Sequence, residues 1–100
     1  MIKHIVFWKF HDEAAGRTKE ENLQIAKNMI EDMQGKIPGL KKVEAGINFS
    51  QSPNAFDLAL YSEIESKEAL EVYRDHPEHQ KVKDFLADVR YEVKAVDYEI

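Results

Sequence analysis

Residues 73–79 bring together several side chains that can hold or move a proton. Tyr73, His76 and His79 stand within this one stretch, and Pro77 interrupts it. A residue that precedes proline is driven out of the α region, and proline suits the first position of a helix, so one helix should end at His76 and another begin at Pro77. Tyr73 then lies in the last turn of the first helix and His79 in the first turn of the second. A phenol and an imidazole placed in this way can carry out general acid–base chemistry.

The start of the second helix also bears on the ionisation of His79. The positive end of the helix dipole disfavours an imidazolium, so we expect the neutral ring, which is the form that a general base needs near pH 7. Tyr73 and His79 are therefore candidate catalytic residues. The alternative is structural: Tyr73 would be a half-buried core residue, and the two histidines would cap helices.

A metal site is a further hypothesis for the same segment. His76 and His79 are three residues apart, and Asp75 and Glu78 adjoin them. Such spacing is common by chance, and the helix break separates the two rings, so the sequence does not predict a metal ligand set. No cofactor is predicted either.

Composition limits the classes of protein that are compatible with this chain. The 100 residues suit one domain, residues 1–100, with a small core that a partner subunit would help to complete. The net charge of −5 without a basic block argues against a nucleic-acid or membrane-surface binder, and the absence of cysteine excludes disulfides and thiolate zinc sites. No signal pattern or apolar run of membrane length is present, so we expect a cytoplasmic protein.

The apolar periodicity predicts an α+β fold. Strands are predicted over residues 2–10, 42–49, 56–63 and 90–100, and helices over residues 18–34, 66–75 and 77–87. Thr18 and Glu21 have capping-box spacing at the start of the first helix. Gly46 suggests a bulge or a close backbone approach in the second strand. The order β-α-β-β-α-β, with its second crossover broken in two, is that of a ferredoxin-like antiparallel sheet with helices on one face.

The two faces of the predicted sheet differ in what must cover them. His4 shares a strand face with Val6 and Trp8 and should point towards the helices. The opposite face is too apolar to remain in contact with water, so a second sheet from an identical chain is the simplest cover. Its apolar residues are Ile5, Phe7, Ala59 and Tyr61.

Four pieces of the chain resemble one known family. They are I-K-H-I-V-F-W-K-F at residues 2–10, I-P-G at 37–39, G-I-N-F-S at 46–50, and Y-x-x-H-P-E-H at 73–79. Together they resemble the stress-responsive A/B barrel domain (Dabb) family of dimeric α+β barrels over essentially the whole chain. The resemblance implies a homodimer whose two sheets form a dimeric α/β barrel, and an association with stress response.

The resemblance also implies a site. A plant cyclase of this family closes a linear polyketide by an intramolecular aldol step, and its catalytic tyrosine and histidine match Tyr73 and His79. One of its pocket histidines matches His4. Its pocket walls carry an aromatic residue, a histidine and a tryptophan where this chain has Leu23, Leu58 and Arg90. The ligand-contacting residues predicted on this basis are His4, Val6, Trp8, Leu23, Leu58, Leu60, Arg90 and Val93.

Two functions follow as hypotheses. The first is a small homodimeric domain with a pocket for a small organic ligand. The second is an acid–base enzyme that acts beside a carbonyl as an aldol-type cyclase, lyase or isomerase, in which Tyr73, His79 and His4 must share one cavity. In either case Arg90 would favour an anionic or strongly polar end of the ligand; the alternative is an exposed arginine at a helix–strand junction. A haem-handling monooxygenase, which occurs on the same fold, is supported by fold analogy alone.

Overall fold

The computed structural model describes residues 1–100 as a four-stranded antiparallel sheet with helices packed on one face. The order of strands in the sheet is β4-β5-β1-β6, and β2 and β3 form a separate two-stranded ribbon. The elements are β1 (Ile2–Phe10), β2 (Glu13–Ala14), β3 (Arg17–Thr18), α1 (Lys19–Glu31), β4 (Leu40–Ile47), β5 (Leu58–Ile64), α2 (Lys67–Asp75), α3 (Pro77–Val89) and β6 (Arg90–Glu99). The predicted ferredoxin-like α+β fold is confirmed. None of the helices combines the length and the apolar character needed to cross a membrane.

Several local predictions differ from the structure at their edges. Helix α1 ends at Glu31 instead of near Gln34, because the backbone changes to shorter i→i−3 hydrogen bonds after that point. The β2–β3 ribbon lies mostly between the first predicted strand and the first predicted helix, where the sequence predicts no regular element. The bulge predicted at Gly46 is wrong: Gly46 pairs regularly with Ala59, and its Cα has open space beside it. The register of β4 shifts at its other end, between Leu40 and Lys42.

The helix starts follow the predicted capping chemistry. The Glu21 N–H donates to the Thr18 hydroxyl at 3.2 Å, and the Thr18 N–H donates to the Glu21 carboxylate at 2.9 Å, which completes the capping box. At the start of α2, the Ala69 N–H donates to the Ser66 hydroxyl at 3.1 Å. These side chains satisfy backbone donors that the first turn of a helix leaves unpaired.

The break between α2 and α3 lies where the sequence places it. His76 is extended, with φ −68° and ψ 136°, and Pro77 occupies the first turn of α3. The His76 Nδ1 atom accepts a hydrogen bond from the Glu78 N–H at 3.1 Å, so this ring caps α3. Tyr73 and His79 therefore stand on either side of a sharp change of chain direction.

The two faces of the sheet differ in burial, as expected. Val6 and Trp8 point under the helices and are buried, whereas Phe7 between them is 39% exposed. On the neighbouring strand β6, Val96 is 49% and Tyr98 is 44% exposed, and they pair with residues of the same open face. One face thus holds the core, and the other presents apolar side chains with nothing covering them within the chain.

Gly39 fixes the distance between the start of β4 and helix α2, which carries Tyr73. Its φ of +83° is in the left-handed region, and a Cβ at this position would lie 2.6 Å from the Cβ of Ala69. The Gly39 carbonyl also accepts a hydrogen bond from the Glu65 N–H at 2.9 Å. A side chain at position 39 would therefore push α2 away from the sheet.

We predict that Gly39→Ala destabilises the fold more than Gly35→Ala does. Both glycines have positive φ, but a Cβ at Gly35 meets nothing within 4 Å. Gly35→Ala should lower the free energy of unfolding by about 1 kcal/mol, and Gly39→Ala by about 1–3 kcal/mol more because of the clash with Ala69. Urea unfolding of both variants measures the difference. Equal losses would show that α2 tolerates the added methyl group.

Candidate functional site

A cavity of about 220 Å³ lies between the sheet and the helices α2 and α3. Its lining is mostly apolar. Tyr73 and His79, the predicted catalytic pair, both line this cavity. Six of the predicted ligand-contacting residues line it as well: His4, Val6, Trp8, Leu60, Arg90 and Val93.

Tyr73 presents a protonated hydroxyl to this cavity. The side chain is only 1% exposed, and its hydroxyl has no hydrogen-bond partner in the protein. Every side-chain oxygen that is fully buried has a hydrogen-bond partner. Because the Tyr73 hydroxyl has none, it must be accessible from the cavity. Burial raises the pKa of Tyr73, and the negative charge of Asp97 adds to this effect. Tyr73 therefore remains a hydrogen-bond donor at neutral pH.

His79 faces the same space as a neutral acceptor. Its ring centroid lies 4.3 Å from that of Tyr73, and its Nδ1 lies 3.1 Å from the carbonyl oxygen of Arg74. A carbonyl can only accept, so Nδ1 carries the proton and the neutral ring keeps a lone pair on Nε2. Burial lowers the pKa of His79 below 6.5; the Arg74 carbonyl opposes this shift, and the charges of His4 and Lys83 assist it. Burial thus favours the neutral ring, in the same direction as the helix dipole on which the sequence prediction was based.

His4 reaches the site from the opposite wall. Its ring meets that of Tyr73 edge-on, with centroids 5.4 Å apart. The His4 Nδ1 is hydrogen-bonded to the Asp97 carboxylate, and the two residues face each other across β1 and β6. The other carboxylate oxygen of Asp97 lies 3.6 Å from the Arg74 guanidinium. The Tyr73 ring thus contacts two imidazoles, one held by a carbonyl and one by a carboxylate.

Two predicted wall residues, Leu23 and Leu58, do not line this cavity. Leu23 is on α1, which packs mainly against β4 at the far edge of the sheet from β6. Leu58 pairs with Trp8 on β1 and with Ile47 on β4, and it borders a groove on the open face instead. Both side chains are buried in the core. The structure therefore does not bring them together with the other six predicted residues.

Four residues at or beside the cavity were not predicted as site residues. Val82, Lys83 and Leu86 lie on the face of α3 that carries His79, and the helical spacing after His79 is the signal that identifies them. Asp97 contacts His4, but only the register of β6 against β1 reveals this pairing. The sequence gives no indication of that register.

The two histidines near the helix break have separate partners. His76 caps α3, while His79 bonds to the Arg74 carbonyl and lines the cavity. No group of three or more histidine, aspartate or glutamate side chains is arranged to hold a metal ion. The geometry thus offers acid–base groups and an apolar enclosure.

We predict that His79 titrates below its usual value of 6.5 in the folded protein. The folded state holds the ring neutral, so the unfolded chain binds more protons in acid, and the free energy of unfolding falls as the pH drops below that value. A His79→Gln variant, which cannot titrate, should lack this part of the pH dependence. Histidine NMR titration and urea unfolding between about pH 8 and about pH 5 measure both effects. A folded-state pKa above the unfolded one would contradict the prediction.

Comparison with known proteins finds relatives that span most or all of the chain. An uncharacterised protein of Streptomyces coelicolor is 34% identical over 80 residues, which is 80% of either chain. A dimeric protein of unknown function with a ferredoxin-like fold from Bacteroides fragilis is 33% identical, with a TM-score of 0.83 over 99% of this chain and 95% of the other. A dimeric ferredoxin-like protein from Thermobifida fusca gives a TM-score of 0.86 at 19% identity, over 99% and 90% of the two chains.

An enzyme is also among the solved structures that share this fold. The hydroxynitrile lyase from Passiflora edulis gives a TM-score of 0.79 over 99% of this chain and 92% of the other. At 16% identity this likeness shows the fold alone.

The family model of the Stress responsive A/B Barrel Domain matches residues 2–100. The chain therefore belongs to the stress-responsive A/B barrel domain family.

Proposed function

We propose that this protein binds a small carbonyl compound in the cavity and catalyses proton transfer at the carbon beside the carbonyl. The observation that carries the proposal is the pairing of opposite hydrogen-bonding characters: the Tyr73 hydroxyl can donate, and the His79 Nε2 can accept. Both groups line one cavity with apolar walls. This arrangement suits an aldol-type cyclase, a lyase or an isomerase.

The reaction begins with the lone pair on the His79 Nε2. This atom takes a proton from the carbon next to the carbonyl; the electrons of the broken C–H bond form a C=C bond, and the carbonyl π electrons move to oxygen. Tyr73 donates a hydrogen bond to the developing enolate oxygen but keeps its proton, because its raised pKa makes it a poor acid. The His79 imidazolium then returns its proton to carbon. Alternatively, the enolate carbon attacks a second carbonyl, whose π electrons move to its oxygen, and the imidazolium protonates the resulting alkoxide.

Asp97 and His4 act on this site as positioning residues. The Asp97 carboxylate accepts a hydrogen bond from the His4 Nδ1–H, which fixes the plane of the ring against Tyr73. Arg74 supports both sides, because its carbonyl holds His79 and its guanidinium lies near Asp97. Because these contacts fix the three rings in advance, the reaction requires no reorganisation free energy from them.

The apolar walls strengthen this chemistry. Val6, Trp8 and Leu60 are buried beneath the cavity, and they lower the local dielectric constant. A hydrogen bond to a developing negative charge is worth more in such surroundings than in water. The walls also give a carbonyl compound apolar surface to bury, which provides affinity before any chemistry.

A second candidate function is ligand binding without chemistry, and the mutual packing of the three rings favours it. Tyr73 contacts His4 edge-on and His79 at a tilt, which are also the geometries by which aromatic side chains stabilise a core. Substitutions of Tyr73 or His79 would then change stability and leave ligand affinity largely intact. The two functions thus differ in what the same variants do.

We predict that the protein exchanges the α-protons of cyclohexanone, a neutral ketone, for solvent deuterium faster than buffer does. His79→Ala should slow this exchange about 10²–10⁴-fold because it removes the base. Tyr73→Phe should slow it by about 10²-fold and lower turnover more than affinity, since its hydroxyl acts chiefly on the enolate. NMR in deuterated buffer follows the exchange.

The double variant provides the internal control for this prediction. The two losses should not add, because both groups serve one proton-transfer event. His76→Ala is the matched histidine control: this ring caps α3 outside the cavity, so stability should fall while exchange persists. Exchange at the buffer rate in the folded wild-type protein, or full exchange in His79→Ala, would leave ligand binding as the better function.

We further propose that two copies of the chain form a homodimer through the open sheet face. Phe7, Val96 and Tyr98 on this face are 39–49% exposed in the single chain, which is unfavourable for clustered apolar side chains. The Bacteroides fragilis and Thermobifida fusca proteins that share the fold are both dimeric. Sheet-to-sheet packing would remove this apolar surface from water and close a barrel.

We predict that Phe7→Lys dissociates or unfolds the dimer, because it places an unpaired charge in the interface. Val72→Lys is the matched control, since Val72 is 48% exposed but is on α2, away from the open face. That variant should remain dimeric. Sedimentation velocity distinguishes the species, and a stable monomer of the unmodified protein would disprove the assembly.

A further inference from the structure

Two cations at the cavity have no partner in the protein. Lys83 and Arg90 both line it, and neither makes a salt bridge or a side-chain hydrogen bond. Every other lysine and arginine contacts a carboxylate except Arg17, which donates to Asn22 at 2.7 Å. An unpaired surface cation is unremarkable by itself. In a chain with 19 acidic residues, however, the only two without any partner share one cavity.

The two cations follow His79 in the chain, one on α3 and one just beyond its end. Lys83 is four residues beyond His79, and Arg90 directly follows the last residue of the helix. A rise of about 1.5 Å per residue places their backbones about 6 Å and about 16 Å from that of His79 along the helix axis. His79 therefore lies near the start of α3, Lys83 one turn further along, and Arg90 just past the end of the helix.

We infer that the cavity takes a short keto acid, with its carbonyl at Tyr73 and His79 and its carboxylate at Lys83 and Arg90. The carbonyl end of this inference rests on the proposed function, whereas the carboxylate end rests on the unpaired cations. A guanidinium can donate two parallel hydrogen bonds to one carboxylate, and an ammonium adds a compact positive charge. The apolar lining between the two ends suits a short hydrocarbon chain.

The position of the cations favours a single negative charge over a phosphate. Phosphate sites commonly use the N-terminus of a helix, where backbone N–H groups and the positive end of the dipole face the ligand. Arg90 is instead at the C-terminal end of α3, where the dipole is negative and offsets part of its charge. Two side-chain cations in that setting match a carboxylate better than a dianion.

Levulinate, a short keto acid, and its neutral methyl ester form the test pair. Isothermal titration calorimetry on the purified protein, in whichever oligomeric state it has, should show that levulinate binds more tightly than its methyl ester. Lys83→Gln and Arg90→Gln should each weaken levulinate binding about tenfold, the loss expected for one charge-assisted hydrogen bond, and leave the ester unchanged. Lys81→Gln is the matched control: it removes the same charge from α3, but Lys81 pairs with Glu78 at 3.1 Å and does not line the cavity.

Several outcomes would overturn the inference: equal affinity for acid and ester, no detectable levulinate binding at millimolar concentration, or an equal loss in Lys81→Gln. Arg90→Lys guards against misfolding, since it keeps the positive charge and should retain part of the preference. The result is separable from the proposed chemistry, because calorimetry needs no turnover and cyclohexanone exchange needs no cation. Selective levulinate binding without exchange would keep the carboxylate subsite and reject the catalysis.

Discussion

The geometry of the cavity depends on one backbone constraint at His76 and Pro77. Proline has no N–H to continue α2, and its ring keeps His76 extended, so the chain must turn before α3 begins. The turn points the last residues of α2 and the first residues of α3 into the same space. The Arg74 carbonyl, left free by the end of α2, becomes the acceptor for His79. A continuous helix would use that carbonyl in its own ladder and would lose this contact.

Burial then determines the chemical character of the groups that the turn brings together. The same apolar surroundings raise the pKa of Tyr73 and lower that of His79, so one remains a donor and the other an acceptor. Asp97 lies close enough to hold His4 but is itself partly exposed, which limits the cost of its charge. The cations Lys83 and Arg90, which have no partner in the protein, line the same cavity.

The features that depend only on residues close together in the chain could be predicted from the sequence. The capping box at Thr18 and the break before Pro77 are determined within a few positions, and the structure has both. The overall sheet topology followed from the order of strands and helices. The Gly46 bulge failed because a glycine permits an irregular backbone without requiring one, and the regular pairing with Ala59 is retained.

The rest of the candidate site depends on tertiary packing that the sequence does not record. Leu23 and Leu58 were expected at the cavity by resemblance, but α1 lies over β4 and leaves the cavity to α3. The contact between Asp97 and His4 follows from the β1–β6 register and joins residues 93 positions apart in the chain. The contribution of burial to the lowered pKa of His79 could not be predicted, because burial becomes visible only after folding.

The tautomer of His79 tests the central claim most directly. Long-range proton–nitrogen correlation spectra of ¹⁵N-labelled protein near neutral pH distinguish a protonated ring nitrogen from one that carries a lone pair. We predict a protonated Nδ1, bonded to the Arg74 carbonyl, and an unprotonated Nε2 that faces the cavity. A spectrum showing the proton on Nε2, or a fully protonated imidazolium, would contradict it, because His79 would then have no lone pair with which to act as the base beside Tyr73.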